Sequence, residues 1–439
     1  MAGSEVLAMK KRGKRIAVGA VSLIVVVAMF FALQRLVVPK YAGDTPLEGN
    51  FTREYYQEKD KHDVIMVGDC EVYENFDPMI LWKEFGITSY IRGNAQQLVW
   101  QSYYMLEDTL RHEKPKVVIY NVQSLTHGEP QREEYNRMCL DGMKWSKTKV
   151  DAINASMCKG ENLLDYVFPL LRYHSRITDL TKNDVKYYLE PRRITHNGYY
   201  MRIDTLPASE SDVADSSWLL GTEEEKASAQ KGENEIDDPW AEIDAGDEDS
   251  TDVENGGDID DPWSDVEGAE EAGEDDSGIA EPGTDTAQSS GDGDKKFSSY
   301  AMKYLDKMRK LCEEEGIQLL LVKAPSLAPQ WYDEQNQQVV EYAEKYDLPY
   351  INFYELLEET GIDYETDSYD GGLHMNYTGA KKLSRYLGKY LTTENMMRVE
   401  DHREDAKLSK VYDEKLQFQE EMKRAQQKEL DKYGEVRNY

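Results

Sequence analysis

Short apolar runs alternate with longer amphipathic ones over two stretches of the chain, and this alternation predicts most of its elements. Val64-Ile65-Met66-Val67, closed by Gly68-Asp69, reads as a buried strand ending in a tight turn. Residues 78–85 follow as a helix, and residues 87–93 as a short strand closed by Gly93. A helix over 96–111 carries Leu98, Val99, Met105, Leu106 and Leu110, and Pro115 then resets the chain into a third strand at 116–120. From 135 to 188 the pattern is mostly helical, with Phe168-Pro169-Leu170-Leu171 as an apolar patch. The alternation resumes after residue 297. It gives a helix at 300–315 capped by Gly316, a strand at 317–324, a helix at 335–346, a strand at 350–353, and a last amphipathic helix through Leu383, Tyr386, Leu387 and Tyr390. Strands alternating with helices predict an α/β domain with a mainly parallel sheet covered on both faces.

Three segments break the alternation. Lys10, Lys11, Arg12, Lys14 and Arg15 precede a mostly apolar run over 16–38, interrupted only by Gln34 and Arg35. About 20 apolar residues cross a bilayer as a helix. The basic cluster stays cytoplasmic, which puts the chain after Val38 outside. A cleaved leader would end in small residues, and Leu36-Val37-Val38-Pro39-Lys40 offers none, so an uncleaved single-pass anchor in the cell membrane is expected. Residues 207–296 are rich in Asp, Glu, Gly and Ser, lack aliphatic periodicity and read as a disordered acidic insertion. Within them Ile236-Asp237-Asp238-Pro239-Trp240 and Ile259-Asp260-Asp261-Pro262-Trp263 form a near-repeat. Trp240 and Trp263 are either docking points for a protein partner or a duplication within a spacer. Residues 393–439 read as a charged, solvated helical tail with no assigned chemistry. The expected organisation is therefore a basic tail (1–15), an anchor (16–38), and one domain in two parts (39–206 and 297–392), with the insertion between them and the tail after.

Composition narrows the class. The 439 residues carry a formal charge of -33, of which residues 210–294 supply 31 acidic groups against two Lys, a net of -29. Only -4 remains for the rest, so the acidity belongs to the insertion, and nucleic acid is not an expected partner. The four cysteines, Cys70, Cys139, Cys158 and Cys312, form no C-x-x-C pair, which leaves no zinc ribbon or thioredoxin-type site. A Cys139–Cys158 bridge stays open.

Candidate chemistry centres on Cys70, placed by the first turn at the carboxyl end of a strand, where open α/β sheets bind ligands. Far along the chain, Asp370-Gly371-Gly372-Leu373-His374-Met375-Asn376 precedes the last helix, and its two glycines let Asp370 fold back on His374. A thiol in a strand-end turn with a histidine and a carboxylate on a distant loop suits acyl transfer. The imidazole takes the thiol proton, and the carboxylate orients the imidazole.

Gly68-Asp69-Cys70-Glu71 after a strand, Gly93 after the next, and Asp370 with His374 before a terminal helix resemble the SGNH/GDSL hydrolase superfamily, in particular its membrane-anchored, extracytoplasmic members from Gram-positive bacteria. The resemblance spans residues 62–390, interrupted by the acidic insertion. It implies a three-layer α/β/α fold of the flavodoxin-like kind, and esterase or O-acyltransferase activity on acylated glycans or similar esters with no metal or organic cofactor. Cys70 then stands at the nucleophile position, His374 at the base and Asp370 at the orienting acid. The backbone of Cys70 and Gly93 stands at the oxyanion donors, with the amide of Asn121 or Gln123 as a third. Three features depart from the family pattern: Cys in place of Ser, an Asp–His spacing one residue longer, and Tyr120-Asn121-Val122-Gln123-Ser124 where Gly-x-Asn-Asp is expected. Asn94, and the loop carrying His196 and Asn197, are candidate substrate contacts. The alternative expectation is a non-catalytic surface or assembly protein that keeps the fold and binds a glycan or protein partner.

Overall fold

Four apolar residues in a row cannot leave one strand face in water, so 64–67 requires cover on both sides. The computed structural model, which describes residues 2–38, 41–42, 45–46, 50–130, 132–189, 193–208, 295–393, 397 and 399–437, provides it. Helix α1 (Ala2–Val37) comes first and, after a short antiparallel pair (Tyr41–Ala42 with Thr45–Pro46) and a helical turn (Asn50–Tyr55), is followed by β1 (Val64–Gly68), α2 (Cys70–Tyr73), α3 (Pro78–Phe85), β2 (Ser89–Gly93), α4 (Val99–Leu110) and β3 (Val117–Asn121). A helical stretch follows: α5 (Glu133–Leu140), α6 (Lys147–Ser156), α7 (Leu163–Val167), α8 (Pro169–Tyr173) and α9 (Lys182–Leu189). The chain continues with α10 (Ser299–Glu315), β4 (Gln318–Lys323), α11 (Asp333–Lys345), β5 (Tyr350–Asn352), α12 (Tyr377–Thr392) and α13 (Ala406–Tyr433). The acidic repeat with Trp240 and Trp263 lies outside the described residues.

The five strands form one parallel sheet in the order β2-β1-β3-β4-β5. Val117 pairs with Gln318, so strands from before and after the acidic segment lie side by side in it. Alternate residues of each strand feed two separate cores. Val64, Met66, Ile119 and Leu320 pack with Leu383 and Leu387 of α12, whereas Ile65, Val67, Val118 and Leu321 pack with Leu305 and Met308 of α10. This order reverses direction between β1 and β3, the switch point where the strands' carboxyl ends open a crevice. Gly68 pairs with Gly93 there, and Val67 with Tyr120, which sets the ends of three strands level.

Residues 406–433 form a helix as expected, but not a freely solvated one. Tyr412 is buried and stacks on Trp82 at 4.1 Å, Gln419 donates to Asp77 (2.9 Å) and Gln426 to the Met201 carbonyl (2.7 Å). The contacts are polar and aromatic, so an apolar count along the tail misses them. All four cysteines are free thiols, so the Cys139–Cys158 bridge does not form.

Candidate active site

The first turn places Cys70. Gly68 ends β1, and Asp69 caps α2 by accepting the Glu71 N–H (3.2 Å), which leaves Cys70 as the first helical residue, partly buried. Gly93 sits against this turn. A Cβ there would lie 2.7 Å from Val72 Cγ1 and 3.2 Å from the carbonyl oxygens of Gly68 and Asp69, so only glycine lets the two strand ends meet this closely.

His374 arrives from 300 residues away on the loop before α12. Gly371 (φ +79°) and Gly372 (φ +101°) take left-handed conformations that turn Asp370 back on its own loop. Asp370 Oδ1 then accepts the backbone N–H of His374 (2.8 Å), and Oδ2 lies 2.6 Å from Nδ1 of its ring. The next residue fastens the loop beside α2, because Met375 N–H donates to Asn75 Oδ1 (2.8 Å). Nδ1 is engaged by Asp370, and the His374 ring lies near enough to the Cys70 thiol to pull its pKa down against burial. Cys70, His374 and Asp370 thus meet in one place.

Around them lies a set of buried ionisable groups that the sequence reading did not single out. Glu74, at the end of α2, has an oxygen 3.6 Å from His374 Nδ1 and accepts a hydrogen bond from the Tyr369 hydroxyl. The Tyr369 ring in turn stacks on His374. Below Cys70, Lys323 at the end of β4 is wholly buried. It donates to Glu71 (2.8 and 3.0 Å), the Ala324 carbonyl and the Tyr354 hydroxyl. One signal of this lysine was in the sequence: a cation closing an otherwise apolar strand has to be buried with a counter-charge.

These surroundings set the protonation states. Burial pushes the Cys70 thiol up to about 12, against the pull of His374, so the resting group is a thiol. Burial pulls His374 down, but the carboxylates of Glu74 and Asp370 outweigh it and hold the ring well above its usual range. Burial and the adjacent Glu71 raise Asp69 to about 8, and burial likewise raises Glu74. Burial lowers Lys323.

The other expected site residues lie elsewhere or are already occupied. Asn121 donates one amide hydrogen to Glu71 (3.2 Å), and its oxygen accepts the Gln123 N–H (2.9 Å). Gln123 is buried with neither side-chain amide atom hydrogen-bonded among the described residues, so it keeps both amide hydrogens where Asn121 has given one to Glu71. Asn94 is buried and donates to Gln97 (2.8 Å) and Thr52 (3.3 Å). His196 and Asn197 lie along the outer edge of β2: Asn197 donates to the Ser89 carbonyl (3.0 Å) and accepts from Ile91 N–H (2.9 Å). His196 packs on Phe418, and burial drives it down to about 3, leaving it neutral. Ser89 stands at the opposite end of β2 from Gly93, roughly 13 Å along the strand, so Asn197 covers a sheet edge, whereas the far end of the loop returns to α2, where Tyr200 N–H donates to the Tyr73 carbonyl (2.9 Å).

Glu74, Asp370 and His374 also offer one ligand atom each within 4.8 Å of one another, a donor set of the kind that takes a divalent cation. His374 Nδ1 cannot both share a proton with Asp370 and ligate a metal, so the two arrangements exclude each other. No family model and no curated protein matches the chain, which leaves the geometry to carry the functional reading.

Proposed function

We propose that this chain is a membrane-anchored esterase or O-acyltransferase of the SGNH/GDSL type, with a three-layer flavodoxin-like domain outside the membrane acting on acyl esters of envelope glycans. The observation that supports it is the bond between Asp370 and His374, with the His374 ring beside the Cys70 thiol, at the sheet's switch point. Cys70 Sγ attacks the ester carbonyl as His374 takes the thiol proton. The backbone N–H groups of Cys70 and Gly93 hold the oxyanion. His374 returns the proton to the departing alkoxide, leaving a thioester on Cys70. Water or a sugar hydroxyl then attacks the thioester, again losing its proton to His374, and the thiol is restored.

A second reading has its own observation. The Cys70 thiol is raised to about 12, as Cys312 is, and catalytic cysteines usually show depressed values. On that reading the pocket binds a glycan or protein without turnover. Purified full-length protein in detergent, assayed with aryl acetates, separates the two. The enzyme reading expects turnover that Cys70→Ala abolishes, and unchanged turnover in Cys70→Ala overturns it.

A further inference from the structure

The helices that follow the sheet's third strand carry apolar side chains on the wrong side. Leu164, Phe168, Leu171, Ile177, Val185 and Leu189 are exposed, Leu171 by 56% and Leu189 by 70%, although the sheet's two cores are elsewhere. These residues belong to α7, α8, the short 3-10 helix His174–Thr178 and α9, with Phe168 at the junction between α7 and α8. All but α7 pack against one end of α1.

That end can be located. Residues 14–37 form a helix long and apolar enough to span a bilayer, and its side chains are exposed from Lys14 to Phe31. Twenty residues at 1.5 Å each cover about 30 Å of hydrocarbon. Counted from Ile16, the span ends at Arg35. At this level Gln34 and Val37 are buried. Leu170 N–H donates to Gln34 Oε1 (2.6 Å), and Arg176 donates to the Val37 carbonyl. The Arg35 guanidinium lies over the Tyr188 ring at 5.3 Å. The helices α8 and α9 are therefore fastened to α1 where it leaves the hydrocarbon. Phe168 reaches further, with its ring 6.2 Å from that of Phe30, five residues and about 7.5 Å below Arg35. That matches the depth of about 5–10 Å to which amphipathic helices sink at a membrane interface.

We propose that α7–α9 form a collar around α1 that lies in the lipid leaflet from which α1 emerges, its exposed apolar side chains among the acyl chains. The exposed cations Lys182 and Lys186 sit on the same segment, suited to the phosphate layer above. The collar rests on the anchoring part of the proposed function, and it adds a second attachment that fixes the domain's tilt on the membrane.

The test uses the full chain carrying Cys70→Ala and Cys158→Ser, with a nitroxide attached at Leu171→Cys or, as control, at the exposed Lys428→Cys on α13. The protein is reconstituted in vesicles of phosphatidylethanolamine and phosphatidylglycerol. The collar expects collisions with oxygen to exceed those with a water-soluble nickel chelate at Leu171→Cys by about tenfold, with the order reversed at Lys428→Cys. Nickel dominance at Leu171→Cys overturns it in favour of a solvated patch, and shielding from both reagents overturns it in favour of a protein interface. Carbonate extraction distinguishes the premise: protein that resists extraction while Leu171→Cys meets nickel loses the collar alone. Protein released by carbonate loses the anchor as well.

Discussion

His374 and Asp370 are joined twice. One carboxylate oxygen takes the backbone N–H of His374 at 2.8 Å, and the other lies 2.6 Å from its ring Nδ1. The first bond fixes the loop and the second fixes the tautomer of the ring. Asp370→Asn keeps the shape and the backbone bond but presents an amide to the ring. The expected result is a kcat lower by about 10³–10⁴-fold with an unchanged fold, read from aryl acetate turnover beside circular dichroism. A loss of only a few fold would leave Asp370 a loop staple.

The acidic surroundings of His374 set the pH dependence. Its pKa is raised, so the neutral imidazole that can accept the thiol proton is scarce at neutral pH and accumulates as pH rises. Turnover should therefore still be climbing above the ordinary imidazole range and show no plateau at pH 7. Glu74 is the largest of the charges holding the imidazolium. Glu74→Gln should shift the rising limb to lower pH and increase the rate at pH 7, as followed by a kcat–pH profile. An unshifted limb would mean that Glu74 is protonated in the working enzyme.

Beneath the thiol, Lys323 and Glu71 are both buried and bonded at 2.8 Å. Replacing Lys323 by Met strands a buried carboxylate, which costs about 3–5 kcal/mol. Urea unfolding should record that loss for Lys323→Met and recover much of it in the Lys323→Met, Glu71→Gln pair. Equal destabilisation of the single and double variants would show that the pair acts through packing and not through charge.

Asp77 caps α3 and is wholly buried, with its pKa raised to about 6 by burial. The folded state thus holds the proton more tightly than the unfolded chain does. Its contribution is fully present below about pH 4 and is lost as pH rises through 6. Asn caps a helix as well as Asp, so Asp77→Asn removes the titration and keeps the cap. Relative to the parent, the variant should gain about 3 kcal/mol between pH 4 and 7 in urea unfolding. A pH-independent difference would show that the carboxyl is ionised in the fold.

The sheet was readable because buried parallel strands are continuous apolar runs. The strand expected at 64–67 runs one residue further to Gly68, and that expected at 116–120 occupies Val117–Asn121. Cys70, Asp370 and His374 were readable because a turn and two glycines are local signals. Glu71, Glu74 and Tyr369 were not, since an acid or a tyrosine on a short helix or loop looks solvated until long-range packing buries it. Asn121 and the loop with His196 and Asn197 were credited with free polar groups that strand register assigns to Glu71 and to the edge of β2. The tail was taken as solvated for a related reason: its anchoring residues Tyr412, Gln419 and Gln426 make no apolar stripe.

The most direct measurement is the intact mass of the full-length protein after brief exposure to an aryl acetate at pH 8, followed by peptide mapping. The account predicts one added acetyl group, on Cys70, that is removed within the turnover time. It should persist in a variant that can acylate but lacks its base, His374→Ala given a more reactive thioester donor. An unmodified Cys70 in protein that turns over the ester, or acetyl groups spread over surface lysines with no turnover, would contradict it.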